Sequence, residues 1–469
     1  MQITFFGAAQ NVTGSKHLIQ SQGYRVLLDC GLFQGRRSEA REQNSELPFE
    51  ARSINAVIVS HGHADHCGML PLLVKQGFTG HIYCTNATAE VMRWILLDSA
   101  KIQEQDAEYY NNRLPVGEDP ISPLYSTEDV EIMMKHVRPI PYFRLRPQWT
   151  ILNERIRFKF YDAGHILGSS VIYLECVENG KTHSVGFTGD LGRAPAPILH
   201  APEVIKEPVE TFLTEATYGF RNHRPINDAK KELRELIAYA YKHKSKIVVP
   251  AFSLGRTQEL VYLLHELTDD GEIPRLPIYI DSPLAGHLTD VFMAHAEDFD
   301  HESWMAFGSK GEAPLAFRNL IYTHSVEESK AINTMKGPMM IISASGMAEG
   351  GRILHHLKQN IEDPNSIIMF TGYQAQHTLG RKIIEGISPI RIFGKQFQVK
   401  AQIRKMNELS AHADQNGLLN YINQLQGLKS VFVVHTEIDQ GNAFVEAVQA
   451  KHPNVTVLMP EKGYTVEIK

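Results

Sequence analysis

Four side chains that commonly bind metal ions lie within six residues of one another, in the segment His61-Gly62-His63-Ala64-Asp65-His66. The segment follows an apolar run, Ala56-Val57-Ile58-Val59, of the kind that forms a buried strand. Burying imidazoles and a carboxylate costs free energy unless something pairs them, and a metal ion does so best. The alternative is a polar turn whose side chains satisfy one another. The spacing and the strand context favour a metal site.

Five more residues resemble this cluster in one respect: each lies at or near the end of an apolar run. They are His165, Asp190, Glu215, His412 and His435. Side chains at the ends of separate strands can converge on one edge of a sheet. We therefore expect them to join the first cluster in a single site.

A binuclear site needs roughly three protein ligands for each metal, and a bridge. The first metal is expected to bind His61, His63 and His165. The second metal is expected to bind Asp65, His66 and His435. Asp190 is placed to bridge both, although an isolated aspartate at this position could equally cap a turn.

The composition of the whole chain is that of an ordinary globular protein. Its 469 residues predict two or three domains, with 43% apolar and 21% charged residues. A net charge of −6 argues against a protein that coats nucleic acid non-specifically, but not against a nuclease with a local basic groove. The sequence has no apolar stretch long enough to span a membrane. Four scattered cysteines and the lack of a signal sequence favour a reducing cytoplasm.

The pattern along the chain predicts an α/β protein whose first domain is split. Short strands dominate the beginning, and helical spacing appears at 68–75 and 88–110. After a proline-rich link, strand–loop–helix units recur, which indicates a parallel sheet. The C-terminal part returns to strands, the last expected at 456–459. The predicted domains are 1–205, an inserted domain at 206–395, and 396–469.

Several motifs resemble those of one known superfamily. The H-x-H-x-D-H cluster, His165 and the T-G-D of Asp190 resemble the metallo-β-lactamase superfamily. Within it, the T-E-A-T-Y-G of Glu215, the S-A-H-A-D of His412 and the V-V-H-T-E of His435 resemble motifs A, B and C of the β-CASP nucleases. The match covers essentially the whole chain, and it looks like the short stand-alone prokaryotic form, related to the cleavage-and-polyadenylation endonuclease. The resemblance implies an αββα sandwich with an inserted β-CASP domain of mostly parallel sheet.

The resemblance also implies a zinc-dependent ribonuclease with two Zn²⁺ ions, where Mn²⁺ or iron remains an alternative. A metal-bridging hydroxide would attack phosphorus in line. His412 would act as general acid, oriented by Glu215, to leave 5′-phosphate and 3′-hydroxyl ends. The catalytic residues are expected to be Asp65, Glu215 and His412, although Glu215 and His412 could instead form a structural ion pair. His435 favours single-stranded RNA as substrate, and the family suggests a homodimer.

The inserted segment carries candidate phosphate contacts. The substrate-binding residues are expected to be Arg256, Ser345, Gly346, Arg352 and Arg381. The arginines lie near glycine-rich turns, and the Ser345-Gly346 loop could add backbone N–H donors. The alternative is that these arginines are solvated or pair with nearby acids.

Two other functions remain open at this stage. The first is a small-molecule metallohydrolase of the same superfamily, such as a thioesterase or lactonase. The second is a catalytically inert subunit of an RNA-processing complex, although such a subunit would be expected to lack metal ligands. The sequence leaves open whether cleavage is internal or proceeds from an end.

Overall fold

The computed structural model describes residues 1–35, 37–115, 119–300, 303, 305, 313–372, 374–375 and 377–469. The chain forms two compact units. The first consists of Met1–Pro195, His200–Asn222 and His412–Lys469. The second consists of Ala196–Leu199 and His223–Ala411.

Strands are numbered in chain order over the described residues. They are β1 (Gln2–Gly7), β2 (Lys16–Ser21), β3 (Tyr24–Leu28), β4 (Ala56–Ile58), β5 (His81–Cys84), β6 (Val137–Pro139), β7 (Thr150–Ile151), β8 (Ile156–Asp162), β9 (Ser170–Glu178), β10 (Lys181–Phe187), β11 (Thr211–Glu215), β12 (Lys246–Pro250), β13 (Ile278–Ile280), β14 (Leu320–Tyr322), β15 (Met339–Ser343), β16 (Ile367–Phe370), β17 (Ile390–Ile392), β18 (Lys395–Phe397), β19 (Gln402–Lys405), β20 (Ser430–Val434), β21 (Thr456–Leu458) and β22 (Thr465–Glu467).

The α-helices of the same residues are α1 (Arg37–Asn44), α2 (Ala64–Cys67), α3 (Leu70–Lys75), α4 (Asn86–Asn111), α5 (Thr127–Met134), α6 (Ile226–His243), α7 (Arg256–Asp269), α8 (Pro283–Ala294), α9 (Val326–Thr334), α10 (Ile353–Asn360), α11 (Leu379–Ile384), α12 (Gln415–Asn423) and α13 (Ile438–Lys451). Short 3₁₀ turns lie at Ala51–Ser53, Ala296–Asp298 and Asn407–Leu409.

The first unit contains two seven-stranded mixed sheets. One has the strand order β22-β1-β2-β3-β4-β5-β6, and the other has the order β21-β20-β11-β10-β9-β8-β7. In the first sheet β3, β4, β5 and β6 run parallel to one another, and in the second β10, β11, β20 and β21 do so. The loops that follow these parallel strands therefore start at a common edge of each sheet.

The buried apolar residues of the first unit form three hydrophobic cores, one between the two sheets and one on the outer face of each sheet. Residues of both sheets share one core, which includes Phe5, Phe158, Phe187 and Phe432. The outer face of the first sheet packs against α3, α4 and α5, and the outer face of the second packs against α12 and α13. Burial on both faces explains why the central strands read as continuous apolar runs. This is an αββα sandwich, so the predicted fold class is confirmed.

The second unit is built on a six-stranded parallel sheet with the order β14-β13-β15-β12-β16-β19. Its apolar core includes Val248, Ile341, Ile353 and Phe370, from the central strands and from α10. A separate hairpin pairs β17 with β18. The recurring strand–helix order explains the parallel sheet, since each parallel connection needs a crossover.

The borders of the two units differ from the expected domain borders. Strand β11 pairs with β10 and β20 of the first unit, although residues 206–222 were expected in the inserted domain. Conversely β19 pairs with β16 of the second unit, although residues 396–411 were expected to return to the first domain. Strand pairing, which composition does not reveal, sets both borders.

Two local predictions differ from the structure in detail. The helix expected at 68–75 is α3, which begins two residues later, because the chain turns at Gly68 and Met69 after α2. The strand at 456–459 was expected to be the last, but β22 follows it and pairs with β1. Strand β22 is three residues long and largely exposed, so it carries little apolar signal.

None of the helices among the described residues combines the length and the hydrophobicity that a membrane crossing requires.

We predict that Gly31→Ala destabilises the first unit. The residues around Gly31 bind the backbone of α2, since Cys30 N–H donates to His66 O at 2.8 Å and Leu32 N–H to Ala64 O at 2.9 Å. A Cβ at position 31 would lie 1.6 Å from Asp65 O. Backbone must therefore move, which should lower the free energy of unfolding by about 1–3 kcal/mol in chemical denaturation.

The matched control for this substitution is Gly350→Ala. A Cβ at position 350 has no described neighbour within 4 Å, so this variant should unfold at the denaturant concentration of the unaltered protein. Equal midpoints for both variants would contradict the close approach at Gly31.

Candidate metal centre

The predicted ligands lie in loops at the ends of strands of the first unit. His61 follows β4 by three residues, His63 caps α2, and Asp65 and His66 lie within that helix. His165 lies in the turn between β8 and β9. Asp190 follows β10 by three residues, and His435 directly follows β20. Since these strands belong to both sheets, the site draws on the whole sandwich.

One group of four side chains surrounds a common point. His61 Nε2, His63 Nδ1, His165 Nε2 and an oxygen of Asp190 all lie within 4.8 Å of one another. His63 Nδ1 is 3.0 Å from His61 Nε2 and 3.4 Å from His165 Nε2. Asp190 Oδ2 is 3.4 Å from each of the other two ring nitrogens, those of His61 and His165.

A second group consists of Asp65, His66 and His435, whose ligand atoms also lie within 4.8 Å of one another. Asp65 Oδ2 is 4.0 Å from His66 Nε2 and 3.4 Å from His435 Nε2. The other oxygen of Asp190, Oδ1, lies 3.3 Å from His66 Nε2 and 3.6 Å from His435 Nε2. The two oxygens of Asp190 therefore face different groups, as a bridging ligand would.

These distances fit metal ions. With metal–nitrogen bonds of about 2.0–2.1 Å, tetrahedral ligand atoms lie roughly 3.3 Å apart. His66 Nε2 and Asp190 Oδ1 are buried and make no hydrogen bond of normal geometry to a described residue. Buried polar atoms of this kind are costly unless a cation satisfies them. The donor set of imidazoles and carboxylates suits zinc, manganese or iron.

The charges of the cluster also call for a cation. Burial lowers the pKa of His63 to about 4 and holds that of His61 well below its ordinary value, so neutral rings, the form that can bind a metal ion, are favoured. Burial also opposes protonation of His435, but Asp190 and Asp65 raise its pKa to about 9. Metal ions would take the place of such a proton in balancing the carboxylates.

The ligands are held in place by residues that sequence reasoning missed. Asp29 Oδ2 lies 2.7 Å from His66 Nδ1, and Asp29 also accepts from the Ser60 backbone and hydroxyl. Ser60 Oγ is 3.0 Å from His61 Nδ1, and Thr217 Oγ1 is 3.1 Å from His435 Nδ1. Such partners orient a ligating imidazole and fix its tautomer.

One feature of the sequence could have identified Asp29 as part of the site. Asp29 directly follows the apolar strand β3, just as His61 follows the run that begins with β4. The structure adds that Asp29 and His435 have positive φ angles of 58° and 51°. Non-glycine residues in this region are uncommon and concentrate at functional sites. No pattern in the sequence predicts that conformation.

His412 and Glu215 form a pair beside the two groups. His412 Nδ1 lies 3.0 Å from both carboxylate oxygens of Glu215, and 4.0 Å from Asp190 Oδ2. Glu215 is fully buried and accepts from Leu191 N–H at 2.7 Å. Burial opposes protonation of His412, but Glu215 and Asp190 raise its pKa above the ordinary value. The pair lies next to Asp190, a position that suits a proton donor.

The five predicted substrate-binding residues lie in the second unit, at or near the ends of its strands. Arg352 Nη1 is 2.7 Å from Asp281 Oδ1, Arg381 Nε is 2.6 Å from Glu385 Oε1, and Arg256 pairs with Glu259. These contacts favour the alternative in which the arginines pair with acids.

The Ser345-Gly346 loop is also engaged within the second unit. Ser345 N–H donates to Gly350 O at 3.2 Å, so the expected backbone donor at Ser345 is already used. Gly346 lies against Phe252, since a Cβ at position 346 would be 2.6 Å from that ring. The loop is therefore held by its own contacts, and phosphate binding there stays a prediction.

Comparison with known proteins agrees with this architecture. The profile of the metallo-beta-lactamase superfamily matches residues 14–243, and that of the Beta-Casp domain matches residues 257–383. A Zn-dependent metallo-hydrolase RNA specificity domain matches residues 397–460.

Three relatives are similar over most of this chain. Ribonuclease TTHA0252 of Thermus thermophilus is 36% identical over 437 residues, which cover 93% of each chain. The RNase J-like protein of Methanocaldococcus jannaschii is 30% identical over 471 residues and 99% of each chain. Transcription termination factor FttA of Methanosarcina mazei is 30% identical over 91% of this chain and 65% of its own length.

A solved structure, that of a protein of unknown function from Enterococcus faecalis V583, is similar in fold. It matches with a TM-score of 0.53 and 12% identity over 100% of this chain and 99% of the other. The sandwich and its cluster of histidines and aspartates define a metal-dependent hydrolase. The chain belongs to the metallo-β-lactamase superfamily and, within it, to the β-CASP ribonuclease family. The family resemblance of the motifs is thereby confirmed.

We predict that Asp190→Ala removes bound metal. Asp190 faces both groups of ligands, so its loss should lower the content measured by plasma mass spectrometry from about two ions per chain to well below one. The isosteric Asp190→Asn variant should lose metal as well, because the amide carries no charge. Asp106→Ala, an exposed aspartate of α4, is the control. Retention of both ions would rule out a bridging role.

Proposed function

We propose that the protein is a zinc-dependent ribonuclease that hydrolyses phosphodiester bonds of single-stranded RNA and leaves 5′-phosphate and 3′-hydroxyl ends. The observation that carries this proposal is the His412–Glu215 pair, 3.0 Å apart, beside two groups of side chains that could each hold a metal ion. A hydrolase that must expel an alkoxide needs such a proton donor. The names of two relatives and the RNA specificity domain support RNA as the substrate.

The residues of this chain divide into metal ligands and a proton donor. His61, His63 and His165 would hold one ion, and Asp65, His66 and His435 the other, with Asp190 between them. Two ions there would supply an activated water and neutralise charge on the phosphoryl oxygens.

His412 delivers the proton that the leaving group needs. Because Glu215 accepts from Nδ1, the ring gives up its proton from Nε2. Water adds to phosphorus, the bond from phosphorus to the 3′-oxygen breaks, and that oxygen takes the proton. The upstream product then ends in a 3′-hydroxyl and the downstream product begins with a 5′-phosphate. Glu215 orients the imidazole and favours its charged form.

Two other functions are less well supported. A thioesterase would not need the His412–Glu215 pair, since its thiolate leaving group is a weaker base than an alkoxide. A lactonase does expel an alkoxide, but the names of two relatives and the RNA specificity domain favour RNA over a small-molecule ester. An inert subunit would be expected to lack ligands, whereas the seven expected ligands all lie in the two groups.

The chelator test distinguishes these functions. The purified protein should cut a labelled single-stranded RNA, and removal of the metal should abolish cleavage. Restoration by Zn²⁺, rather than by Mn²⁺ or Fe²⁺, would identify the metal. Tight RNA binding without cleavage would indicate the inert subunit, and no interaction with RNA would indicate a small-molecule enzyme. The products should accept a 3′-ligated adapter without prior end repair.

We predict that His412→Ala slows RNA cleavage by about 10²–10⁴-fold while metal content stays near two ions per chain. The substitution should lower kcat rather than raise KM, because the proton is needed in the transition state. His452→Ala is the control, since that histidine lies on the surface and contacts Asn423 at 2.8 Å. Parallel loss of metal would instead make His412 a ligand.

Glu215→Gln tests whether His412 is the proton donor, through the pH dependence of RNA cleavage. The raised pKa of His412 keeps the imidazole protonated, and activity is lost as the pH rises through that pKa. Without the charge of Glu215 the pKa falls, so the alkaline limb of the kcat profile should move to lower pH. An unmoved limb would mean that another group donates the proton.

A further inference from the structure

We propose that Tyr218, Phe220 and Arg221 form a platform that binds the nucleotide next to the scissile bond of single-stranded RNA. We call these three residues the Arg221 platform. The proposal rests on the proposed ribonuclease function and adds a substrate contact within the first unit. It is carried by the position, exposure and charge of the three side chains.

The platform lies beside the proton donor. Tyr218 follows Glu215 by three residues, and its ring centroid is 6.0 Å from that of His412. The guanidinium carbon of Arg221 lies 4.7 Å from the centroid of Tyr218 and 5.3 Å from that of Phe220. The cation therefore contacts two aromatic rings, one of which faces the site.

The turn that carries the platform is held rigidly. Gln415, at the start of α12, donates its backbone N–H to Arg221 O at 3.1 Å and its side-chain amide to Gly219 O at 2.8 Å. Gly219 lies against Phe444, since a Cβ at position 219 would be 2.8 Å from that side chain. A fixed turn lowers the entropy that binding must overcome.

The outer part of the platform is open to a ligand. Tyr218 is buried, but Phe220 is 41% exposed. Arg221 has no carboxylate partner among the residues that the structure describes, in contrast to Arg256, Arg352 and Arg381. An arginine that lacks an acid, beside an exposed aromatic ring, provides both the charge and the flat surface that bind a nucleotide.

Single-stranded RNA offers the matching groups. Its bases stack on aromatic rings without regard to sequence, and its phosphates pair with guanidinium groups in a bidentate manner. The protein carries a net charge of −6, so a local cation near the site matters for a polyanionic substrate. We assign the phosphate to Arg221 and the base to Phe220.

The position of the platform also selects which nucleotide it binds. His412 gives its proton to the 3′-oxygen that leaves. Tyr218 lies against His412, so the platform adjoins the upstream nucleotide, the one that departs with the 3′-hydroxyl. A purely structural role is the competing explanation: Arg221 could merely brace Tyr218 against His412.

The experiment compares Arg221→Gln, Arg221→Lys and Phe220→Ala with Arg113→Gln. Arg113 is a matched control, because its guanidinium carbon lies 3.6 Å from the ring of exposed Tyr109 at the far end of α4. The probe is a fluorescein-labelled single-stranded RNA of about ten nucleotides, within the usual site sizes. Binding is measured by anisotropy in a His412→Ala background at several salt concentrations, and KM and kcat are measured with His412 present.

Arg221→Gln and Phe220→Ala should each raise KM and the dissociation constant about tenfold, with kcat changed by less than about twofold. Arg221→Gln should also reduce the salt slope of binding by about 0.7, the value for one phosphate of a single strand. Arg221→Lys should keep the slope and recover part of the affinity. Phe220→Ala should keep the slope, and Arg113→Gln should match the parent.

Two outcomes would overturn the platform. Unchanged affinity and slope in Arg221→Gln would show that Arg221 does not bind RNA. A fall in kcat with unchanged KM would show that Arg221 only braces His412. If the unaltered protein does not cleave RNA, the proposed function fails, whereas the binding series still decides whether the platform exists.

An abasic substrate tests which nucleotide is bound. Removal of the base from the nucleotide that bears the leaving 3′-oxygen should abolish the difference between Phe220→Ala and the parent. Removal of the downstream base should leave that difference intact. The reverse pattern would place the platform on the other side of the scissile bond and overturn the assignment to the upstream nucleotide.

Discussion

The buried carboxylate of Asp190 is the constraint around which the first unit is organised. Its side chain is only 2% exposed, and its two oxygens face two different groups of imidazoles. A buried negative charge must be balanced by positive charge. Here the histidines that follow other strands can supply it, either as protonated rings or through metal ions that they would hold. The ends of β4, β8, β10 and β20 must therefore meet at one place, which only a closely packed pair of sheets can achieve.

The scaffold supplies the precision that the chemistry requires. Asp29 contacts His66, Ser60 contacts His61 and Thr217 contacts His435, so these three imidazoles have a defined orientation. Two of the positions involved, Asp29 and His435, adopt positive φ angles that cost free energy in a non-glycine residue. The surrounding hydrogen bonds and the aromatic core between the sheets maintain these conformations. The orientation of these ligand residues is thus set by contacts within the first unit.

Most of the second unit is inserted in the sequence between the two residues of the His412–Glu215 pair. The chain leaves the first unit after Asn222, soon after Glu215 and the Arg221 platform, and returns at His412, the partner of Glu215. This insertion therefore begins eight residues after Glu215 and ends directly before the histidine that pairs with it. In the second unit the fully buried Asp281 accepts from Arg352 and His356. That network explains why an arginine near a glycine-rich turn need not be a phosphate ligand.

The sequence by itself determined the α/β class, the family and which histidines and aspartates cluster in the first unit. Strand periodicity, dense polar clusters and short motifs are local signals, so they can be read without the structure. The pairing of His412 with Glu215 was also foreseen from motifs. The tertiary structure decided what depends on residues far apart in the chain. The pairing of β11 with β20 and of β19 with β16 sets the borders of the two units. The structure also shows strand β22, the contact of Asp29 with His66, and the ion pairs between the arginines and nearby acids. These features arise from packing and backbone conformation, which no short stretch of sequence encodes.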